Sequence, residues 1–118
     1  MNDPSAPDVP LEISPTVAAA MLRDIDPAER LLLDCRTPEE HATARIDGAI
    51  LLPMQELPGR IGELSPWAER TIIVHCHHGV RSLRVVHWLR ERGFPHATSM
   101  VGGIDAWSAE IDPTIPVY

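Results

Sequence analysis

Basic residues and long apolar runs are scarce in this sequence. Only 10 of the 118 residues are Lys or Arg, and the formal net charge is -7. The chain therefore lacks the positive surface that binds phosphodiester backbones or anionic lipid. No uninterrupted apolar run approaches the roughly 20 residues that span a bilayer. We expect neither a nucleic-acid partner nor a membrane partner.

Cysteine is scarce as well. The two cysteines, Cys35 and Cys76, are too few for a secreted disulfide framework. The first ten residues contain no Lys or Arg and no apolar stretch, so they match neither part of a secretory leader. These features predict a cytoplasmic protein, in which a cysteine more often serves chemistry or packing than crosslinking.

The remaining composition is that of a folded protein, with 44% apolar and 23% charged residues. We expect residues 1–8 to form a flexible tail and residues 9–118 to form a single domain. Strand-like apolar runs alternate with helical patterns, which predicts an α/β fold with a largely parallel sheet. Strands are predicted at 10–13, 30–35, 49–52, 71–75 and 97–101, and helices at 16–22, 38–44, 54–64, 81–92 and 104–111.

Cys76 directly follows the clearest strand, and a short loop with Gly79 leads from it to a helix beginning near Arg81. In open α/β sheets, ligands bind outside the carboxyl ends of the strands. Loop and helix amides would form an anion nest there and favour a thiolate. We expect a partly exposed, nucleophilic Cys76 that takes sulfur from a donor, holds it as a persulfide and passes it on.

Two other interpretations of this segment remain. Cys76 could be an inert buried thiol, since free cysteine is among the most buried residue types. The run His75-Cys76-His77-His78 also contains zinc-ligand residue types. Four adjacent residues cannot all converge on one tetrahedral ion, however, and no second ligand pair such as C-x-x-C occurs. We therefore expect no metal and no cofactor.

Three segments together resemble the rhodanese homology domain. Residues 31–41, with Asp34-Cys35-Arg36 at a strand end and Glu40 in the short helix that follows, are similar to its first signature. Residues 76–82 are similar to its active-site loop, and residues 101–107 to its closing signature. The resemblance extends along nearly the whole chain after the tail.

The resemblance implies a rhodanese-like fold, with a five-stranded, mainly parallel sheet and helices on both faces. It assigns Cys76 as the persulfide-bearing nucleophile of a sulfurtransferase. It also implies that loop amides cradle the outer sulfur, those of His77, His78, Gly79, Val80 and Arg81. The implied partner is a small sulfur donor such as thiosulfate. Residues 110–118 are similar to tails of rhodanese domains fused to activating enzymes, which hints at a protein sulfur donor or acceptor.

Phosphatases and arsenate reductases of the same fold are an alternative to sulfur transfer. Four residues separate Cys76 from Arg81, as in the sulfur-transferring members that the chain resembles, whereas the phosphatase loop is one residue longer. A non-catalytic interaction module is a third hypothesis, because a fold does not establish a function.

The remaining candidate residues are expected to support the loop. Arg81 is expected to tie the loop to a carboxylate rather than to bind substrate, because a guanidinium suits bidentate carboxylate pairing. Arg36 is likewise expected to be structural, with Glu40 within helical reach, and His41 shows no partner pattern. The counterpart of Cys35 in the related phosphatases forms a protective disulfide with the nucleophile, so Cys35 is a hypothetical resolving cysteine.

Overall fold

The protein is described by a computed structural model that covers residues 9–118. The predicted tail, residues 1–8, lies outside the described residues. Within them, five strands form one sheet in the order β1-β5-β4-β2-β3, and every pairing is parallel. The strands are β1 (Glu12–Ile13), β2 (Arg30–Asp34), β3 (Ile50–Leu51), β4 (Thr71–His75) and β5 (Ala97–Met100).

The helices connect the strands in the alternating pattern that the sequence predicts. They are α1 (Pro15–Asp24), α2 (Pro38–Thr43), α3 (Leu57–Arg60), α4 (Val80–Glu91) and α5 (Gly103–Glu110). The Thr37 hydroxyl accepts from the Glu40 amide, and the Glu40 carboxylate accepts from the Thr37 amide, which forms a capping box at the start of α2.

One of the predicted helices is not a continuous α-helix. The helical stretch expected over 54–64 consists of the short α3 between two 3-10 segments, Met54–Glu56 and Ile61–Trp67. Within this stretch Pro58 has no amide hydrogen for an α-helical bond, and Gly59 and Gly62 weaken a helix, which favours short turns over one continuous helix.

Helices cover both faces of the sheet, as the resemblance implies. Successive residues of a strand point to opposite faces, and the buried residues accordingly divide into two clusters. Leu33 and Val74 pack with Val86 and Leu89 of α4 on one face. The other face joins strand residues to α1 and α5 in a second cluster, with members that include Ile73, Ala18, Ile104 and Trp107. No helix in the described part of the chain is long and apolar enough to cross a membrane.

The carboxyl ends of the central strands meet at one edge of the sheet. Asp34 at the end of β2 is in register with His75 at the end of β4, so Cys35 and Cys76 follow at neighbouring positions. The loop after β5 reaches the same edge and begins α5 at Gly103. This edge therefore brings together the three segments that carry the sequence resemblance.

Candidate functional site

Cys76 lies at the base of the loop between β4 and α4. The Gly79 amide donates to its Sγ atom at 3.0 Å, and the thiol lies 3.4 Å from Ser82 Oγ. Ser82 Oγ in turn shares a 2.8 Å hydrogen bond with Ser99 Oγ of β5. The sulfur thus accepts from a backbone amide, a donor that stabilises an anionic sulfur, and the thiol donates to the first of two linked hydroxyls.

The expected partial exposure of Cys76 is wrong. Its exposed fraction is 1%, because the side chain belongs to the buried apolar cluster that includes Val85, Val86 and Leu89 of α4. Only a small group can approach Sγ without displacing the loop. The loop itself is open to solvent, with Val80 65% exposed.

The first turn of α5 orients the loop. The Ile104 amide donates to the Cys76 carbonyl at 2.9 Å, and the Asp105 amide donates to the His77 carbonyl at 3.1 Å. In a trans peptide the carbonyl and the following N–H point in opposite directions. The amides of His77 and His78 therefore point away from α5. A pinned loop of this kind can present its N–H groups to an anion.

Two glycines allow the close contacts around the loop. Gly79 precedes α4 with a φ of +103°, in the left-handed region that favours glycine. A Cβ atom there would lie 3.0 Å from the Gly102 nitrogen. A Cβ atom on Gly103 would lie 2.5 Å from the Cys76 carbonyl oxygen, so a side chain at that position would push α5 away from the loop.

A fully buried ion pair stands at the end of β2. The Arg36 Nε and Nη2 atoms donate to the two Asp34 carboxylate oxygens at 2.9 and 2.8 Å. The carboxylate partner of Arg36 is thus Asp34, not Glu40 as expected, although Arg36 also reaches the Glu40 carbonyl at 3.4 Å. Burial opposes ionisation of Asp34, but the hydrogen bonds from Arg36 and the contacts with His75 and His41 together outweigh it and keep the pKa of this carboxyl below its usual value.

His41 has a partner that its sequence position did not indicate. Its Nδ1 atom lies 2.8 Å from Asp34 Oδ2. The expectation that His41 lacks a partner is therefore wrong, because the short helix α2 folds back and places this side chain over the strand end. His41 completes the polar contacts of the buried pair.

Arg81 forms a second ion pair at the same edge. Its Nη1 and Nη2 atoms donate to the two Glu40 carboxylate oxygens at 2.6 and 2.9 Å. These hydrogen bonds hold the pKa of Glu40 well below its usual range. The Arg81 guanidinium is thus engaged by a carboxylate, in the geometry of the loop tie that the sequence favours over a substrate contact.

The model of the rhodanese-like domain family matches residues 14–110. The chain belongs to this family. A solved rhodanese-like domain protein from Staphylococcus aureus is 28% identical, with a TM-score of 0.75, and the match covers 91% of this chain and 97% of that one.

Curated relatives fall into two groups by length. A sulfurtransferase from Allochromatium vinosum is 35% identical over 83 residues, which are 70% of this chain and 76% of that protein. Longer relatives include the rhodanese-like/PpiC domain-containing protein 12, chloroplastic, from Arabidopsis thaliana, 35% identical over 94 residues and 76% of this chain. Another is the adenylyltransferase and sulfurtransferase MOCS3-1 from Zea mays, 33% identical over an alignment of 128 positions that covers 100% of this chain. This chain spans 31% and 27% of those two longer proteins.

Tyr118 contributes to the site of this rhodanese-like domain, although no sequence pattern indicates this role. Its hydroxyl donates to Glu40 Oε2 and accepts from Arg36 Nη1, both at 2.7 Å. Its ring stacks on His77, with 3.9 Å between centroids and 5° between planes. Burial raises the pKa of Tyr118 to about 12, so the phenol keeps its proton at neutral pH. Tyr118 connects the two ion pairs to the loop.

His75 is buried just before the nucleophile position. Burial lowers its pKa to about 4, so the imidazole is neutral at pH 7 and adds no positive charge beside Cys76. Its Nε2 atom has no hydrogen-bond partner in the described structure. The polar surroundings that the sequence predicts for Cys76 therefore come from amides and hydroxyls rather than from this histidine.

Cys35, the candidate resolving cysteine, is as buried as Cys76, with an exposed fraction of 1%. Both cysteines are free thiols. Burial raises the pKa of the Cys35 thiol well above its usual value. The rhodanese-like domain thus places two thiols at neighbouring strand ends with different polar surroundings.

Proposed function

We propose that the protein is a sulfurtransferase that carries sulfur as a persulfide on Cys76. The observation that carries this proposal is the 3.0 Å hydrogen bond from the Gly79 amide to Cys76 Sγ, in a loop whose first carbonyls are bound by α5. Membership of the rhodanese-like family and the sulfurtransferase names of several relatives support the same class of reaction.

The reaction proceeds in two steps. The Cys76 thiolate attacks the outer sulfur of thiosulfate, or of another persulfide donor, and a Sγ–S bond forms. The S–S bond of the donor breaks, and its electron pair leaves with sulfite when the donor is thiosulfate, or with the donor's thiolate when the donor is a persulfide. An acceptor nucleophile such as cyanide, a thiol or a carrier protein then attacks the outer sulfur of the persulfide. The thiolate leaves with the electron pair of the Sγ–S bond, and the enzyme is restored.

The loop amides are the groups that stabilise both anions. The persulfide carries its charge on the outer sulfur, which lies beyond Sγ toward the mouth of the loop. The amides of His77, His78, Gly79, Val80 and Arg81 surround that space in this proposal. No cofactor takes part in either step.

The alternative phosphatase reaction fits the site less well. A phosphate dianion needs a cradle with a free guanidinium, since the fork geometry of arginine matches phosphate. Arg81 instead makes two hydrogen bonds to Glu40. Asp34, Arg36 and Glu40 support the loop in this proposal and do not touch the donor.

Mass spectrometry of the intact protein tests the proposal. We expect wild type treated with thiosulfate to gain the mass of one sulfur atom, and cyanide to remove it as thiocyanate. The Cys35→Ser variant should behave in the same way, whereas Cys76→Ser should gain nothing. Absence of an adduct with thiosulfate and with alkyl persulfides would refute the proposal, and hydrolysis of a phosphoester would establish the phosphatase alternative.

Cys35 acts as the resolving cysteine within the same proposal. Peroxide oxidises the Cys76 thiolate to a sulfenic acid, and the Cys35 thiol displaces water from it to form a disulfide. The neighbouring positions of the two residues after register partners Asp34 and His75 support this step. Peptide mapping of peroxide-treated protein should show a Cys35–Cys76 crosslink. Overoxidised Cys76 beside a free Cys35 thiol would eliminate this role.

A further inference from the structure

A cluster of metal-ligating side chains joins the loop after Cys76 to the first turn of α5, and the proposed sulfur chemistry does not use these side chains. The cluster consists of His77, His78 and Asp105. Each residue offers one ligand atom, and these atoms all lie within 4.8 Å of one another. The third member comes from the first turn of α5, so the sequence alone could not bring it to the histidines.

His77 has an unused coordinating group. Its ring stacks on Tyr118 and on His78, with centroid distances of 3.9 and 3.8 Å. Its Nε2 atom is shielded from solvent and has no hydrogen-bond partner within residues 9–118. Native structures rarely leave a buried polar atom unpaired, so this nitrogen calls for a partner.

Asp105 supplies a negative charge that the described structure does not neutralise. Its carboxylate takes part in no ion pair with any described residue. Its backbone position is fixed, because the Asp105 amide donates to the His77 carbonyl at 3.1 Å. The two segments that contribute to the cluster are thus held together by the backbone before any ligand binds.

We propose that His77, His78 and Asp105 form a binding site for a divalent transition-metal ion, with Zn²⁺ as the best fit. Two imidazoles and a carboxylate are ligands that zinc accepts, and three protein ligands leave a fourth position open. Tetrahedral zinc places such ligand atoms about 3.4 Å apart, so binding requires the stacked His77 and His78 rings to rotate until their lone pairs converge on the ion.

The cluster also meets the objection that the sequence raises against a metal. That objection concerns four consecutive residues converging on one ion. Only two of the four belong to the cluster, and α5 supplies the third ligand. Cys76 Sγ is directed to Gly79 and Ser82 instead, so the site requires no thiolate.

Cobalt absorption spectroscopy and calorimetry on the full chain test the site. Wild type should bind one Co²⁺ with the visible bands of a tetrahedral site, and Zn²⁺ should displace it. The Cys76→Ser variant should bind equally well and show no thiolate-to-cobalt charge-transfer band. Asp105→Asn and His78→Gln, each of which removes one ligand, should weaken binding by about 100-fold.

Exposed residues of the same types outside the cluster provide matched controls. His87→Gln and Asp47→Asn should leave the affinity unchanged, and circular dichroism should show that all variants fold. The proposal is overturned if wild type shows no saturable binding, or if Asp105→Asn and His78→Gln both bind as well as wild type. Loss of binding in Cys76→Ser would also overturn it, because the thiolate would then be the ligand.

The site has a consequence for sulfur transfer, and this consequence alone rests on the proposed function. An ion held by His77 and His78 would restrain the loop whose amides are proposed to cradle the outer sulfur. Zn²⁺ should therefore slow persulfide formation in wild type but not in Asp105→Asn, and a chelator should restore the rate. If the protein transfers no sulfur, the binding measurements still decide whether the metal site exists.

Discussion

The ends of β2 and β4 carry the same kind of residue with different chemistry. Each strand ends one residue before a cysteine that is 1% exposed, and the residues before these cysteines, Asp34 and His75, are register partners. Equal burial therefore does not make the two thiols equivalent. The comparison shows that the polar groups that reach each sulfur distinguish them.

At the end of β2 the polar groups serve the structure. Arg36 turns back onto Asp34 and fills the space after the strand. Cys35 receives no side-chain hydrogen bond from any described residue, and burial raises its pKa. This end of the sheet is a structural support, and its thiol ionises less readily than an exposed cysteine.

At the end of β4 the backbone turns toward the sulfur. The left-handed conformation of Gly79 directs its amide to Cys76 Sγ, and the hydroxyl of Ser82 reaches the same atom. Backbone donors of this kind stabilise an anion without adding a charged side chain. The loop geometry, rather than exposure, marks Cys76 as the candidate nucleophile.

Removing the support at the end of β2 should have the largest effect on stability. Arg36→Met leaves Asp34 buried without its bidentate partner, so we expect the free energy of unfolding to fall by about 3–5 kcal/mol. Urea unfolding at pH 7 measures it. The control is Arg60→Met, which breaks the exposed pairs with Glu56 and Glu63 and should leave the midpoint nearly unchanged. Similar losses of stability in both variants would mean that the buried Arg36–Asp34 pair contributes no more to stability than the exposed pairs do.

Replacing Gly79 should remove the backbone hydrogen bond that distinguishes Cys76 from Cys35. Gly79→Ala adds a Cβ at a φ of +103° and 3.0 Å from the Gly102 nitrogen, which displaces the amide from Sγ. We expect persulfide formation on Cys76 to slow by about 100-fold, as for loss of one anion-binding donor. Stopped reactions with thiosulfate, analysed by mass, give the rate.

Gly48→Ala is the matched control for the loop glycine. Gly48 also has a positive φ, +84°, but a Cβ there would have no neighbour within 4 Å. It should cost about 1 kcal/mol of stability and leave the rate unchanged. A rate loss of similar size in both variants would show that backbone strain, and not the Sγ contact, matters.

The two residues before the cysteines should affect the stability of the fold in different pH ranges. His75 has a pKa of about 4 in the folded protein and about 6.5 when unfolded, so unfolding takes up a proton between these values. We expect stability to fall by about 2 kcal/mol from pH 7 to pH 5. Asp34 and Glu40 have lowered pKa values, so their contributions are lost only at lower pH.

Urea unfolding of wild type and His75→Leu at both pH values measures this contribution. The variant should lose much less stability between pH 7 and pH 5, because it has no imidazole to protonate at that position. Equal losses in the two proteins would assign the pH dependence to other groups.

The smallest effect should come from the hydroxyl beside Cys76. Ser82→Ala removes the hydroxyl that accepts from the Cys76 thiol and that can rotate to donate to the thiolate. Loss of a hydrogen bond to the thiolate, worth about 1 kcal/mol, should slow alkylation of Cys76 by about fivefold. Peptide mapping after limited iodoacetamide treatment measures both cysteines, and Cys35 should react only on unfolding. Ser108→Ala, which removes a buried hydroxyl bonded to the Ile115 carbonyl, should change neither rate. Faster alkylation in Ser82→Ala would mean that the hydroxyl shields the sulfur instead of activating it.

Local sequence signals predicted most of the fold. The alternation of apolar runs and helical patterns predicted the strands and helices, because periodicity and caps act over a few residues. The Thr37-Glu40 capping box is present as expected. The form of the stretch over 54–64 was predicted less well, since Pro58 and two glycines divide a helical pattern into short turns.

The amino-acid sequence by itself determined the order of elements, the placement of Cys76 after a central strand and the length of its loop. Each depends on neighbours along the chain. The tertiary structure decided which side chains meet: Arg36 with Asp34, Tyr118 with Glu40, and Asp105 with the loop histidines. It also decided that Cys76 is buried. Contacts between segments far apart in sequence depend on how the layers pack, and no local pattern records that geometry.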